Sequence, residues 1–242
     1  IAELSLESGQ FVKEYKTENL PFDVKLSTDE SMLLASNWGG RIAKEEDETL
    51  EAAGAVIVVN PYGGTATGSV SRIERASGVT THISVPPHPT TILVDETRAF
   101  VACAAGDSVV ELDIAAGKVL RTLPMRFENL RLFGAQPNAL ALSADKKTLY
   151  VACGGDNAVA ELDAKSGKIR GYRPAGYYPT ALALASDATL WAVNTKGNGS
   201  VKNTTKGHPG NAHDFQGTVS VVDLNADLKQ TTARVAELNG WK

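Results

Sequence analysis

PNALALSADKKTLYVACGGDNAVAELDAKSGKIRGY, residues 137–172, decides how the rest of the chain is read. Its partner is PTTILVDETRAFVACAAGDSVVELDIAAGKVLRTL, residues 89–123. The two agree almost position for position, apart from one turn that is two residues shorter in the second. A third copy opens at Pro179 with PTALALASDATLWAVN, and a fourth at Pro21 with PFDVKLSTDESMLLASN, its later half being GSVSRIERASGVTTHISV, residues 68–85. Internal repetition of this kind outranks every local signal in reading a fold.

Each copy reads as four short strands. The first alternates, as in Leu140 and Leu142 or Leu182 and Leu184. A turn at Asp145 leads to an apolar second strand, Leu149-Tyr150-Val151. Ala158–Asp163 makes the third, and a glycine turn at Gly117 or Gly167 leads to the fourth, because glycine takes positive φ without steric cost. No helical periodicity interrupts this pattern before about residue 225, which excludes the doubly wound α/β folds. Four-stranded units of about 40 residues in series are the sequence sign of propeller blades. The expected fold is all-β: a β-propeller of four-stranded antiparallel blades.

LYVACGGDNAVAELDAKSGKI resembles the YVTN repeat of YncE-like propellers, and the likeness recurs through nearly the whole chain. A narrower resemblance is carried by Ser36-Asn37-Trp38-Gly39-Gly40-Arg41, Tyr177-Tyr178-Pro179-Thr180-Ala181 and Asn194-Thr195-Lys196-Gly197. These are similar to bacterial proteins that fuse such a propeller to a C-terminal phosphoesterase of the alkaline phosphatase superfamily. The resemblance implies a periplasmic or secreted protein, with residues 225–242 as a helical tail or linker towards a phosphoesterase domain that this chain does not contain. It also implies a seven-bladed disc when complete. Residues 1–16 read as a partial blade and residues 21–85, 89–123, 137–173 and 179–223 as four more, the last with three clear strands. By repeat length, about 100 residues of such a disc would precede Ile1.

Composition limits the function classes. Apolar residues make up 43% and charged residues 21%, enough to bury a core. A net charge of −4 lacks the basic face that nucleic acid requires. No apolar run reaches the ~18–20 residues of a membrane helix. No leader sequence is legible, as a mature or trimmed secreted protein would also read. The two cysteines, Cys103 and Cys153, stand where the repeat otherwise has Asn37 and Asn194, and read as small buried thiols rather than as a disulfide or a metal site.

Three segments interrupt the repeat: 41–67, 124–136 and 195–216. Strand parity puts all of them at the same end of their blades, which makes that edge the expected binding surface. The residues just before each first strand, Leu20, His88, Gln136 and Tyr178, should converge there at the channel mouth, joined by Asn37, Trp38, Arg41, Tyr177, Asn194 and Lys196. The set suits a small ligand or a protein segment, although aromatic rings here also serve to pack the insertions down.

No catalytic constellation, cofactor motif or metal-ligand spacing is legible. His208, His213 and Asp214 match no ligand pattern, the acidic run 44–48 lacks calcium-loop spacing, and the paired glycines do not open helices. The reading is a non-catalytic binding or scaffold module. A propeller enzyme of hydrolase or lactonase type, with its site at the mouth, is the alternative.

Overall fold

The structure, a computed structural model, describes residues 1–125, 134–186, 189–199 and 216–241. The chain divides into two compact units, Ile1–Thr122 and Leu123–Lys242. Nearly all of the described secondary structure is antiparallel sheet, arranged as propeller blades.

The first unit opens with a two-stranded sheet of β1 (Ala2–Leu4) and β2 (Phe11–Glu14). The first blade follows, built from β3 (Asn19–Leu26), β4 (Met32–Gly40), β7 (Gly68–Glu74) and β8 (Thr80–Val85) in that order. Between its second and third strands lies the first insertion. It folds as a small hairpin of β5 (Thr49–Ala52) and β6 (Ala55–Val58), an element our sequence reading did not anticipate. The second blade runs β9 (Pro89–Asp95), β10 (Arg98–Cys103), β11 (Ser108–Asp113) and β12 (Lys118–Pro124).

In the second unit the third blade consists of β13 (Pro137–Leu142), β14 (Thr148–Cys153), β15 (Ala158–Asp163) and β16 (Ile169–Pro174). The fourth has three strands, β17 (Tyr177–Leu184), β18 (Leu190–Gly197) and β19 (Thr218–Val222). Helix α1 (Leu228–Leu238) ends the described secondary structure.

Side chains on a strand alternate between sheet faces, so within each unit one blade turns its forward face to the backward face of the blade that follows it. In the first unit Leu34 and Val70 of the first blade meet Ile92, Ala99, Val101 and Val110 of the second. In the second unit Ala141, Tyr150 and Val159 of the third blade meet Leu190, Ala192 and Val222 of the fourth. These sheet-to-sheet layers are the core. The N-terminal pair packs on the backward face of the first blade, where Tyr15 is buried with Leu33 and Ile73. Tyr15 donates to Glu3 at 2.5 Å, and Arg75 pairs with Glu3 at 2.9 Å.

The tail helix is docked rather than free. Asp227 caps it by accepting from the Gln230 N–H at 2.8 Å. The helix lies on β16: the Tyr172 N–H donates to Thr232 Oγ1 at 2.8 Å, Val235 is buried, and the Trp241 ring meets Tyr172 edge-on at 5.0 Å. Gly171 permits this approach, since a Cβ there would sit 2.5 Å from Thr232 Oγ1 and 2.7 Å from Leu228. Arg173 pairs with buried Glu161 and donates to the Leu224 and Ala226 carbonyls, each at 3.0 Å, fastening the connection ahead of the helix.

Asparagine and cysteine at the end of the second strand follow the composition of the third. Asn37 lies opposite Ser69 and donates to Ser69 and Ser71 at 3.0 and 2.9 Å. Asn194 lies opposite Thr218 and donates to Ser220 Oγ at 2.8 Å. Cys103 lies opposite Ser108, with Val110 two residues on, and Cys153 lies opposite Ala158, with Ala160 two residues on. Both thiols are free and buried. An amide is kept where hydroxyls can receive its protons and replaced by a small apolar thiol where they cannot. Cys153→Asn should therefore destabilise the protein by about 1–3 kcal/mol in urea unfolding. Adding Ala158→Ser and Ala160→Ser should recover at least half of that loss; a neutral single substitution would contradict the pairing.

Candidate functional site

All four blades are entered in the same strained way. Leu20, His88, Gln136 and Tyr178 have φ of 52°, 61°, 50° and 57°, and each precedes a proline: Pro21, Pro89, Pro137 and Pro179. A left-handed conformation costs a residue with a Cβ about 1–2 kcal/mol. The following proline also disfavours the right-handed helical region for the residue before it. The first strand then carries one extra residue against the second. Pro137 faces Cys153 while Ala139 already faces Ala152, and the same slip recurs at Pro21–Asp23, Pro89–Ile92 and Pro179–Ala181. Such a bulge re-aims the side chains beside it.

Backbone hydrogen bonds hold these entries. The carbonyls of His88 and Gln136 accept the N–H groups of Ala104 and Gly154 at 2.9 and 3.0 Å. The Tyr178 N–H donates to Asn157 Oδ1 at 2.9 Å. In each unit one entry side chain rests on a residue at the end of the second strand of the preceding blade. The His88 ring stands edge-on to Trp38, with centroids 4.4 Å apart. The Tyr178 ring lies over Gly154, where a Cβ would come within 3.2 Å of it. On that ring sits the Lys196 ammonium, 4.7 Å from the centroid.

Burial alone lowers the His88 pKa, to about 4, so the ring is neutral at pH 7. Among the described residues no charged group contributes to this shift.

The remaining expected site residues divide. Tyr177 is half-exposed at the start of β17, paired with Gly197. Arg41 is committed to a two-pronged ion pair with Asp47, both bonds 2.6 Å, which holds the Asp47 carboxyl at about 2 and folds the first insertion back on itself. Asn19 ties the hairpin down by donating to the carbonyls of Arg41 and Val56 at 3.2 and 2.9 Å. Asn37 and Asn194 are fully buried, and among the described residues the side-chain oxygen of each has no hydrogen-bond partner. They do not reach the edge. Of the expected mouth residues, the structure brings together Trp38 with His88 in one unit and Tyr178 with Lys196 in the other.

One polar group escaped the sequence reading. Ser71 Oγ lies 3.1 Å from His82 Nδ1, and Glu18 Oε2 lies 3.8 Å from the same nitrogen. A serine, a histidine and a carboxylate thus meet, but not as a nucleophile relay, which needs the acid and the serine on opposite ring nitrogens. Ser71 is also buried and already receives the Asn37 amide. Among the described residues no three His, Cys, Asp or Glu side chains converge as a metal site. His208, His213 and Asp214, and most of the insertions at 124–136 and 195–216, lie outside the described residues.

No family model matches the sequence, and no curated protein matches it. Among solved structures the chain is similar to hydrazine synthase of Kuenenia stuttgartiensis, at 22% identity and a TM-score of 0.53 over 76% of this chain and 44% of that one. It is also similar to a catalytically inactive histidine-to-alanine variant of virginiamycin B lyase from Staphylococcus aureus with quinupristin, at 13% identity and a TM-score of 0.51 over 74% of this chain and 50% of that one. The chain thus spans half or less of each of these structures. At these identities the likeness establishes the propeller fold and nothing finer.

The His88 environment has a pH signature. Its folded pKa of about 4 lies below the ordinary 6.5, so between those values the unfolded chain binds more protons. The stability this group allows is intact above pH 6.5 and falls as pH drops towards 4. The Cε1 proton resonance of His88 should stay at its neutral position down to about pH 5, and His88→Gln should flatten the pH dependence of the urea midpoint between pH 4 and 6.5. A His88 titration midpoint near 6.5 would refute the buried, neutral ring.

Proposed function

We propose that this chain is a non-catalytic β-propeller module that binds a small ligand or a protein segment at the entry edge of its blades. The observation that carries this reading is the set of four entry residues held at φ of 50–61°, with side chains as different as leucine, histidine, glutamine and tyrosine. Glycine would meet the backbone requirement without strain. Strained positions that still carry large side chains cluster at binding sites. The partly buried aromatic pair Trp38–His88 and the cation-capped ring Tyr178–Lys196 supply apolar surface with a polar handle, the usual make-up of a binding edge.

The wider setting is a proposal of the same standing. The YVTN-type repeat points to a YncE-like propeller of a periplasmic or secreted bacterial protein, in which the propeller accompanies a phosphoesterase domain and positions it or its substrate. Supporting this are the repeat segments themselves and the motifs Asn37-Trp38-Gly39-Gly40 and Tyr177-Tyr178-Pro179.

An enzyme of hydrolase or lactonase type at the same edge is the second reading. The virginiamycin B lyase neighbour, inactivated by loss of one histidine, keeps it in view. Against it stands His88, the histidine that the described residues place on this edge, whose pKa shift has, among those residues, no contribution from a neighbouring charge. Purified protein should hydrolyse p-nitrophenyl acetate, p-nitrophenyl phosphate and dihydrocoumarin no faster than its His88→Ala variant. In a screen of small metabolites followed by tryptophan emission, a binder at the edge of the first unit should lose at least tenfold in affinity in Trp38→Ala, and a binder at the edge of the second unit should lose as much in Tyr178→Ala. Turnover abolished by His88→Ala would favour the enzyme instead.

A further inference from the structure

The first two blades enclose a cavity at the edge opposite their entries. It has a volume of about 560 Å³ and lies among the turns that follow their first and third strands. That volume is within the range of small-molecule sites, roughly 300–1,000 Å³. Ser27 and Ile114 on its wall are buried, and Met32 and Arg72 are half-buried. Asp29, Glu96 and Thr97 stand exposed at its rim.

Arg72 sets this cavity apart, because the repeat otherwise puts a carboxylate at its position. Arg72 lies opposite Leu34 on β4, as Glu111 lies opposite Phe100 on β10 and Glu161 opposite Tyr150 on β14. Each of those buried glutamates has an arginine of its own blade: Arg98 pairs with Glu111 at 3.0 Å, and Arg173 pairs with Glu161. The first blade has Met32 where the second has Arg98, and Ile83 where the third has Arg173. The charge is therefore inverted, and the blade supplies no counter-ion for it. Arg72 does keep the tie that Arg173 makes to the following blade. Its Nε donates to the Ile114 carbonyl at 2.6 Å and its Nη2 to the Ala115 carbonyl at 3.1 Å, as Arg173 donates to the Leu224 carbonyl. Among the described residues Arg72 has no ion pair and its Nη1 has no acceptor. Leu34, standing where the next two blades carry Phe100 and Tyr150, takes up less of the space beside it.

The rim has the opposite sign. Asp29 accepts from Ser27 Oγ at 2.6 Å and from the Ser31 N–H and Oγ at 3.1 and 2.9 Å, which holds its carboxyl below the usual carboxylate range. Glu96 belongs to the turn after β9. The cavity thus combines a half-buried guanidinium with two exposed carboxylates and the apolar side chains of Met32 and Ile114.

We infer that this cavity binds a small zwitterionic amino carboxylate, such as a free amino acid with an apolar side chain. Its carboxylate pairs with Arg72 through Nη1, its ammonium with Asp29 and Glu96, and its side chain rests on Met32 and Ile114. Arginine suits the first role, since its fork of N–H groups matches a carboxylate. The site is at the other edge from Trp38 and His88 and stands independently of the binding proposed there.

Titration of the isotope-labelled chain with L-leucine, followed by amide chemical shifts, tests this. Leucinamide lacks the carboxylate and N-acetyl-leucine lacks the ammonium. L-leucine should bind saturably, with shifts at Ser27–Met32 and Glu96–Thr97, and both analogues should bind at least tenfold more weakly. Arg72→Gln should weaken leucine at least tenfold and close its gap to leucinamide. Asp29→Asn combined with Glu96→Gln should close its gap to N-acetyl-leucine. Thr97→Trp blocks the mouth from an exposed position with Arg72 intact, and should abolish binding; unchanged circular dichroism melts establish that the variants fold. Absence of saturable shifts, leucinamide or N-acetyl-leucine binding as tightly as leucine, or unchanged leucine affinity in Arg72→Gln or Thr97→Trp would each overturn the inference.

Discussion

Every blade must be entered through a residue in the left-handed conformation that is followed by proline, and the rest of the structure is arranged around that constraint. The kink at Leu20, His88, Gln136 and Tyr178 sets where the first strand starts. The extra residue after each proline then fixes which side chains of that strand face forward and which face backward. A strand whose register slips by one residue turns its whole apolar set to the wrong side. The bulge is therefore a register device as well as a turn. Within each unit it also sets one entry side chain beside the end of the previous blade's second strand, which is how His88 meets Trp38 and Tyr178 meets Gly154.

Packing between blades follows from the same alternation. The two buried amides stand where the facing strand satisfies their protons. The Asn37 and Asn194 amides have serine or threonine partners, while Cys103 and Cys153 stand where those partners thin out or vanish. Buried carboxylates obey the same rule. Glu111 is held by Arg98 at 3.0 Å and by Arg121, and Glu161 by Arg173. Removing one member of such a pair leaves a buried charge uncompensated, which costs far more than the pair contributes. The helix α1 extends this logic to an edge, covering the outer strand β16 that would otherwise stay open.

Much of the fold was legible because the repeat aligns position by position, and periodicity two is unmistakable in segments such as Leu140–Leu142. The site was legible only in part. Nothing in Leu20, His88, Gln136 or Tyr178 as residue types announces positive φ; the shared signal was the proline that follows each of them. Asn37 and Asn194 read as strand ends and so as edge residues, but β4 and β18 each run three residues further and both amides are buried. Arg41 reads as a free cation, yet Asp47, six residues on, is within reach once the insertion folds back. The hairpin at β5 and β6 was available in TLEAAGAVIV, residues 49–58, where Gly54 sits in a tight turn at φ 77° between two short alternating runs. The meeting of Ser71, His82 and Glu18 depends on pairing across β7 and β8 and could not be read from spacing.

The most direct test of the left-handed entry is a paired substitution series at Leu20 and Gln136. Glycine is at ease at φ near 50°, whereas alanine retains the penalty of about 1–2 kcal/mol. In an ordinary strand the order reverses, and glycine is the worse residue by about 0.5–1 kcal/mol. Urea unfolding of Leu20→Gly against Leu20→Ala, and of Gln136→Gly against Gln136→Ala, compares the two directly at positions where the lost side chain is the same within each pair. The account predicts that glycine is the more stable variant at both sites; alanine more stable than glycine at both would contradict it.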